Sequence, residues 1–242
     1  MTGFFGGLAD LVSTLVDRWP RLWDGLWVTL QLSIGGAVLA FIVAVLLGLA
    51  SISGVSVLRG LTRVIVEIFR GTSLVVQLFW FFYVLPQLGV RLDALTCGIL
   101  ALGLNYGAYG AEVVRGSMNA VPKGQWETTT ALSMPWVTKV RRIIWPQAWA
   151  LMLPGLNNLM VMLVKGTAVA LLITLHDLTF VTDQLRRTDG TYIAFGIGFL
   201  LYYLVTLGFS TLLRLEEARA QRKLGLKPSK ARTTQATAEA VA

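Results

Sequence analysis

The chain has 242 residues, 55% of them hydrophobic and only 14% charged, and its mean hydropathy of +0.66 is too high for an ordinary water-soluble domain. A formal charge of +8 would point a soluble protein toward nucleic acid. Here the Lys and Arg residues stand between and after apolar stretches, a topology pattern that calls for no nucleic-acid partner. One cysteine, Cys97, and one histidine, His176, leave no disulfide framework and no Cys- or His-cluster metal site within the chain.

Residues 1–22 place Phe4, Phe5, Leu8, Leu11, Val12, Leu15, Val16 and Trp19 at helical spacing, with Asp10, Ser13, Asp17 and Arg18 on other faces. This is an amphipathic helix, either lying on the outer membrane surface or packed against the bundle. Its two acids and its Trp19-Pro20 end do not fit a cleavable signal peptide, so the first apolar span is expected to stay in the protein.

A helix crossing a hydrocarbon core about 30 Å thick needs about 20 apolar residues. Residues 26–50, 71–90, 94–111, 151–175 and 192–213 meet that test. The second is rich in aromatics from Phe79 to Tyr83 and closes at Pro86, and only the fourth holds a charge, Lys165. The expected fold is an all-α integral membrane protein with five transmembrane helices in a domain spanning 23–215. The basic tail, 216–242, starts as a charged helix held against anionic membrane lipid and is expected to be disordered from about Pro228.

Basic residues set the orientation. Arg59, Arg63, Arg70, Arg115, Lys123, Lys139, Arg141, Arg142 and the tail fall on one side, against Arg18, Arg21, Arg91, Arg186 and Arg187 on the other. The C-terminus is therefore expected in the cytosol and the N-terminus outside. Five spans do not divide into the two repeats common in secondary transporters, and one copy is too small to enclose a pathway, so a dimer is expected to form it at its interface.

The longest loop between spans, 119–146, is cytosolic on this topology. Val121, Trp126 and Ala131, then Trp136, Val140 and Ile143 or Ile144, point to two short helices parted near Ser133-Met134-Pro135, with Pro122 and Pro146 as outer limits. Such a pair offers an apolar face and a carboxylate, Glu127, to a soluble partner.

The loop resembles the EAA loop of bacterial ABC-importer permeases, which reads Glu-Ala-Ala, three residues, Gly, nine residues, then Ile-x-Leu-Pro. Counted from Glu127, the Gly position falls on Ser133, the Ile position on Ile143 and the closing Pro on Pro146. Thr128, Thr129, Ser133 and Trp145 depart from the pattern; Thr for Ala lowers helix propensity, and Ser for Gly argues against a turn that needs positive φ. The flanks Arg115-Gly116, residues 121–127 with Gly124 and Trp126, residues 146–148, Leu163-x-Lys165 and Arg70-Gly-Thr72 with Gln77 resemble the polar-amino-acid branch, and the chain as a whole looks most like its ectoine/hydroxyectoine-type members. The resemblance spans roughly residues 20–220.

It implies a type I ABC-importer permease fold and a coupling helix at 127–136 that docks on a cytosolic ABC ATPase dimer. The implied partners are that ATPase, an extracytoplasmic solute-binding protein and a second permease copy or paralogue. The sequence has no Gly-rich phosphate loop, so no cofactor is expected on this chain, and ATP and Mg belong to the partner ATPase.

A charge inside a span costs about 2.5 to 3.5 kcal/mol on insertion scales, which marks Lys165 as a pathway candidate. Asn158 shares its helical face; Asn105, Tyr109 and Glu112 form a second stripe, and Ser73 with Gln77 a third. These stripes are expected to face the dimer pathway, with Lys165 or its neighbours meeting a solute carboxylate. The bland readings are that Lys165 snorkels, that the amides and tyrosine only join helices, and that Glu112 pairs with Arg115 or Arg70. The branch commonly has Asp after this Lys, whereas here Gly166 follows, which favours a zwitterionic or neutral solute over a cationic one. A stand-alone channel, an ion-coupled carrier and a membrane sensor are the rival readings. No Ser-His pair, paired Asp or His-Glu-x-x-His motif in a span marks an enzyme.

Overall fold

The computed structural model describes residues 13–223. The first half of the amphipathic segment and the tail from residue 224, including the expected disorder near Pro228, lie outside the described residues. Within them the chain is helical, with no strand.

Helix α1, Trp19–Ser51, starts with Pro20 in its first turn, where a missing N–H is harmless. It is followed by α2, Ser56–Gly71, and α3, Leu74–Leu88, which meets α2 at a bend of 99°. Within α3 the aromatic run Trp80–Val84 is a π turn, and Gly89 closes the helix at φ 90°, a left-handed conformation suited to glycine. Helix α4, Ala94–Asn119, is N-capped by the Asp93 carboxylate, which accepts from Thr96 N. Then come α5, Lys123–Ala131, a long α6, Trp136–Ile173, α7, Leu178–Asp189, and α8, Thr191–Lys223.

Three helices, Trp19–Ser51, Trp136–Ile173 and Thr191–Arg222, are each long and apolar enough to cross a membrane, and the bent pair α2 and α3 passes the same test together. Sequence placed a single span over 71–90. The structure starts that helix only at Leu74, because the strongly amphipathic α2, with Arg59, Arg63 and Arg70 on one face, turns sharply before it. Helix α4 is too rich in glycine and polar residues to qualify by hydropathy, yet it is the centre of the bundle, with Cys97, Gly98, Ala101, Leu102 and Asn105 buried along it.

The glycines of α4 explain that position. Helices α1 and α4 run parallel, with Leu32 over Gly98, Leu39 over Gly103 and Val43 over Gly107; a Cβ on Gly103 would lie 2.5 Å from Leu39 Cδ2, and one on Gly48 of α1 2.6 Å from Val114 Cβ. Lipid tails offer no hydrophobic drive for helix association, so close backbone approach through small residues supplies the packing. Cys97 packs with Leu78, Ala101 and Ile173, as expected of a small apolar residue.

Two further clusters fix the ends. Leu22 and Leu26 of α1, Leu178, Val181 and Leu185 of α7, and Ala194, Ile197 and Leu201 of α8 close one end, with Leu15 packed on them. At the other end Val114, Met118 and Val121 meet Val140, Ile144, Ala148 and Met152.

Candidate functional site: an anchored hairpin and a lysine alcove

Residues 119–146 fold as the helical hairpin of α5 and the start of α6, parted at 132–135 where sequence placed the break. Its inner side is locked to the bundle: Val121, Val140 and Ile144 are buried, and Trp126 and Ile143 pack on the same cluster. Thr129 is 1% exposed and returns its hydroxyl to the Trp126 carbonyl at 2.8 Å. Thr128 does the same to Gly124 O at 2.7 Å, so these threonines satisfy their hydroxyls within the helix. Lys139 Nζ donates to Thr130 Oγ1 at 2.8 Å and joins the two arms.

Three expectations for this loop are corrected. Ser133 adopts φ 52° despite not being glycine. Ser133 N bonds to Thr130 O and Met134 N to Thr129 O, a Schellman closure that needs a left-handed residue at this place. Pro146 does not end the hairpin, because α6 continues through it. The π turn at Val140–Ile144, with Trp145 N on Val140 O, widens the helix where the proline ring would otherwise meet the preceding turn. Finally, the apolar face expected to be offered whole to a partner divides: Ala131 and Trp136 face outward, whereas Val121, Val140 and Ile144 are buried against the bundle.

The outer side of the hairpin is therefore an exposed face of Leu132 (64%), Trp136 (44%) and Val137 (66%), with the exposed Glu127 and Gly124 on the preceding helix. Glu127 makes no hydrogen bond or ion pair among the described residues. Leu132 and Val137 were not singled out from sequence. Their positions on either side of the Ser133 turn would have shown them, had the turn been read as left-handed.

Of the polar stripes, most close the bend between α2 and α3. Gln77 is 7% exposed and its Nε2 donates to Phe69 O at 2.8 Å and to Thr72 Oγ1 at 2.6 Å. Asn105, 5% exposed, donates Nδ2 to the same Phe69 oxygen at 3.1 Å. Tyr109 OH donates to Arg70 O at 3.3 Å, and the Arg70 guanidinium lies 5.3 Å from the Tyr109 ring centroid. These groups satisfy carbonyls that the last turn of α2 leaves without helical partners. Glu112 pairs with Arg115, whose Nε is 3.1 Å from Oε2. Within a single chain, these groups are committed to the chain itself.

Lys165 and Asn158 are both exposed, on one face of α6. Among the described residues Asn158 has one hydrogen bond, from Nδ2 to Met162 Sδ at 3.9 Å, and Lys165 has no hydrogen bond or ion pair. The lysine lines an alcove of about 370 Å³ together with Ala168 of α6 and Phe199, Tyr202, Tyr203 and Thr206 of α8. Behind it, Asp177 is fully buried and N-caps α7, accepting from Phe180 N at 3.0 Å and Thr179 N at 3.2 Å. The Tyr202 hydroxyl donates to the same carboxylate at 3.2 Å. Burial pushes the Asp177 carboxyl above its ordinary range, against the lowering by these hydrogen bonds. Sequence reasoning missed this latch; the Asp before an amphipathic helix was its visible signal.

A helical membrane bundle with one hairpin bolted to it, and with an exposed apolar and acidic face on that hairpin, is built as the membrane subunit of a multi-component machine. The chain belongs to the family of binding-protein-dependent transport system inner membrane components, whose model matches residues 36–220. It is 39% identical over 217 residues, 86% of this chain and 91% of the relative, to a probable amino-acid ABC transporter permease, y4tF, of Sinorhizobium fredii. It is 34% identical over 206 residues, 84% of this chain and 88% of the relative, to the L-cystine transport system permease TcyB of Bacillus subtilis. A crystal structure of an amino acid ABC transporter with histidines aligns with a TM-score of 0.76 at 31% identity, over 85% of this chain and 97% of that one. The MetNI methionine ABC transporter shares the fold, with a TM-score of 0.67 at 18% identity over 82% of this chain and 97% of that one.

The chain is thus a multi-pass inner-membrane transport subunit with the type I ABC permease fold. It is not an enzyme. Membership brings an ATPase and a solute-binding protein as partners.

Proposed function

We propose that this permease imports amino acids or closely related small zwitterionic solutes, of which ectoine and hydroxyectoine are examples, and that the solute passes at the interface of a dimer of two identical or paralogous copies. The amino-acid class rests on the named activities of its relatives. Five spans, with the N-terminus outside, accommodate α1, the α2–α3 bent pair, α4, α6 and α8 and leave the basic hairpin and tail in the cytosol.

The observation that carries the reading is the hairpin: its inner side is buried in the bundle while Glu127, Leu132, Trp136 and Val137 are left outside. Rigid anchoring lets force applied to that face reach α4 and α6 directly. On this reading the face docks on one subunit of the ATPase dimer, which alone binds ATP and Mg; the permease binds no cofactor. Lys165 and Asn158 face the pathway, and the lysine receives the solute carboxylate. Charge here costs free energy in lipid, so an unpaired lysine is better accounted for by a water-filled pathway than by packing.

Co-purification in detergent tests the reading. The ATPase is expected to come down with the wild-type chain and to be lost from Leu132→Asp and from Glu127→Lys. Recovery of ATPase with both variants at the wild-type ratio would overturn the docking assignment.

A further inference from the structure

One face of the bundle carries a groove that the transport reading does not use. It lies between α1, α6 and α8 and encloses about 370 Å³. Small residues make its floor, Ala37, Ala40 and Ala44 of α1 with Gly110 of α4, and Phe41, Trp149, Leu153 and Leu156 stand among its walls. Phe41 and Trp149 meet edge to face at 5.9 Å. The Tyr106 hydroxyl at the floor is already given to Met162 O at 2.9 Å, so the interior offers a ligand no free hydrogen-bonding group.

The groove changes character at one end. There it opens into a second hollow of about 760 Å³ bounded by Trp145, Pro146, Glu216, Arg219 and Ala220. Glu216 is held by Arg219, and Arg222 follows on the same face of α8. Arg141 and Arg142 stand in the π turn just before Trp145. The mouth itself is lined by one ion pair, Glu216 with Arg219, and an excess of positive charge stands next to it along the chain in Arg222, Arg141 and Arg142; two stacked tryptophans, Trp145 and Trp149, flank it with centroids 6.2 Å apart.

The depth of the groove matches one leaflet of a bilayer. From Trp149 to Met160 the helix rises about 16 Å, which is one leaflet of a hydrocarbon core about 30 Å thick. Tryptophans and arginines at one end of a leaflet-deep apolar slot are the side chains that sit at headgroup level.

We propose that this groove is a specific site for an anionic phospholipid, with one acyl chain laid over Ala37, Ala40 and Ala44 and the phosphate group at Arg219 and Arg222. Because the mouth is built from the start of α6 and the end of α8, the lipid bridges the hairpin-bearing helix to the last helix. The site is independent of the Lys165 alcove.

Native mass spectrometry of the purified permease–ATPase complex tests this, with phosphatidylglycerol and phosphatidylcholine supplied in equal amounts. The wild type is expected to retain one phospholipid per permease chain, phosphatidylglycerol in about fivefold preference per arginine engaged. Filling the floor by Ala40→Phe, or separately by Ala37→Phe, is expected to remove that lipid while the complex stays assembled. Arg219→Gln with Arg222→Gln should keep a lipid but lose the preference. Unchanged retention in both floor variants overturns the proposal. A Val38→Cys chain that crosslinks to a second copy overturns it too, by showing that protein covers the groove; so does a wild-type chain that carries no phospholipid and gains one only on truncation after residue 223, which would assign the groove to the chain's own tail.

Discussion

Gln77 Nε2 donates to the Phe69 carbonyl at 2.8 Å, across the bend of 99° that separates α2 from α3. Asn105 of α4 donates to the same oxygen at 3.1 Å, so the bend is held both from within its own segment and from the central helix. Gln77→Leu and Asn105→Leu are each expected to cost about 1 to 2 kcal/mol of stability. Since either amide alone keeps the Phe69 oxygen bonded and only the double variant takes both donors from it, the double variant should lose more than the sum of the two. Thermal unfolding of the four proteins in detergent gives the cycle; additive losses would mean that the two amides act separately.

Ser133 carries the left-handed turn of the hairpin at φ 52°, a conformation costing an L-residue roughly 1 to 2 kcal/mol that glycine does not incur. Ser133→Gly should therefore stabilise the hairpin by about 1 kcal/mol, and Ser133→Val should destabilise it by more. Hydrogen exchange at Met134 N, which bonds to Thr129 O, reports the closure locally. Slower exchange in the glycine variant is the expected result, and faster exchange would show that the serine is favoured there.

The fold class was legible because it rests on long apolar runs, and the hairpin because the spacing from Glu127 to Pro146 survives even where Thr128, Thr129, Ser133 and Trp145 depart from the pattern. What sequence could not show was the use made of polar residues at helical spacing. Asn105 and Tyr109 read as part of one pathway-facing stripe and Gln77 as part of another, but the bend at residues 71–74 brings Phe69, Arg70 and Thr72 into the reach of all three. Periodicity reports which face a side chain occupies, not what a bend elsewhere brings against that face. For the same reason, Pro146 read as a stop: a π turn before a proline leaves no mark in composition.

Asp177 is buried and its carboxyl is raised by that burial. A raised folded value means that its ionisation opposes folding. The associated stability is fully present below the ordinary carboxylate value and is lost as pH rises through the folded value. Asparagine caps a helix as well as aspartate and carries no charge. Asp177→Asn is therefore expected to be at least as stable as the wild type at neutral pH, the advantage shrinking as the pH falls toward the ordinary carboxylate value. Asp177→Ala removes the cap and should cost about 1 to 2 kcal/mol. Melting temperatures of the complex from neutral to acidic pH check both; an asparagine variant less stable at neutral pH would show that the charge is needed by Tyr202 and the backbone amides.

Lys165 stands exposed in an alcove otherwise formed by Ala168, Phe199, Tyr202, Tyr203 and Thr206, with no acid among these residues to neutralise it. A solute carboxylate arriving there would form the charge-assisted hydrogen bond that the chain itself does not supply, worth about 1.5 to 3 kcal/mol or roughly tenfold to a hundredfold in apparent affinity. Lys165→Met keeps the length and apolar stem and removes the charge. Its uptake is expected to fall by at least that factor in proteoliposomes, while the assembled complex still hydrolyses ATP and still binds the loaded solute-binding protein. Lys165→Arg should restore part of the uptake, because the charge matters more than the shape of its head. Wild-type uptake by the methionine variant would remove Lys165 from the pathway, and equal loss of uptake and ATP hydrolysis would place it in assembly of the bundle.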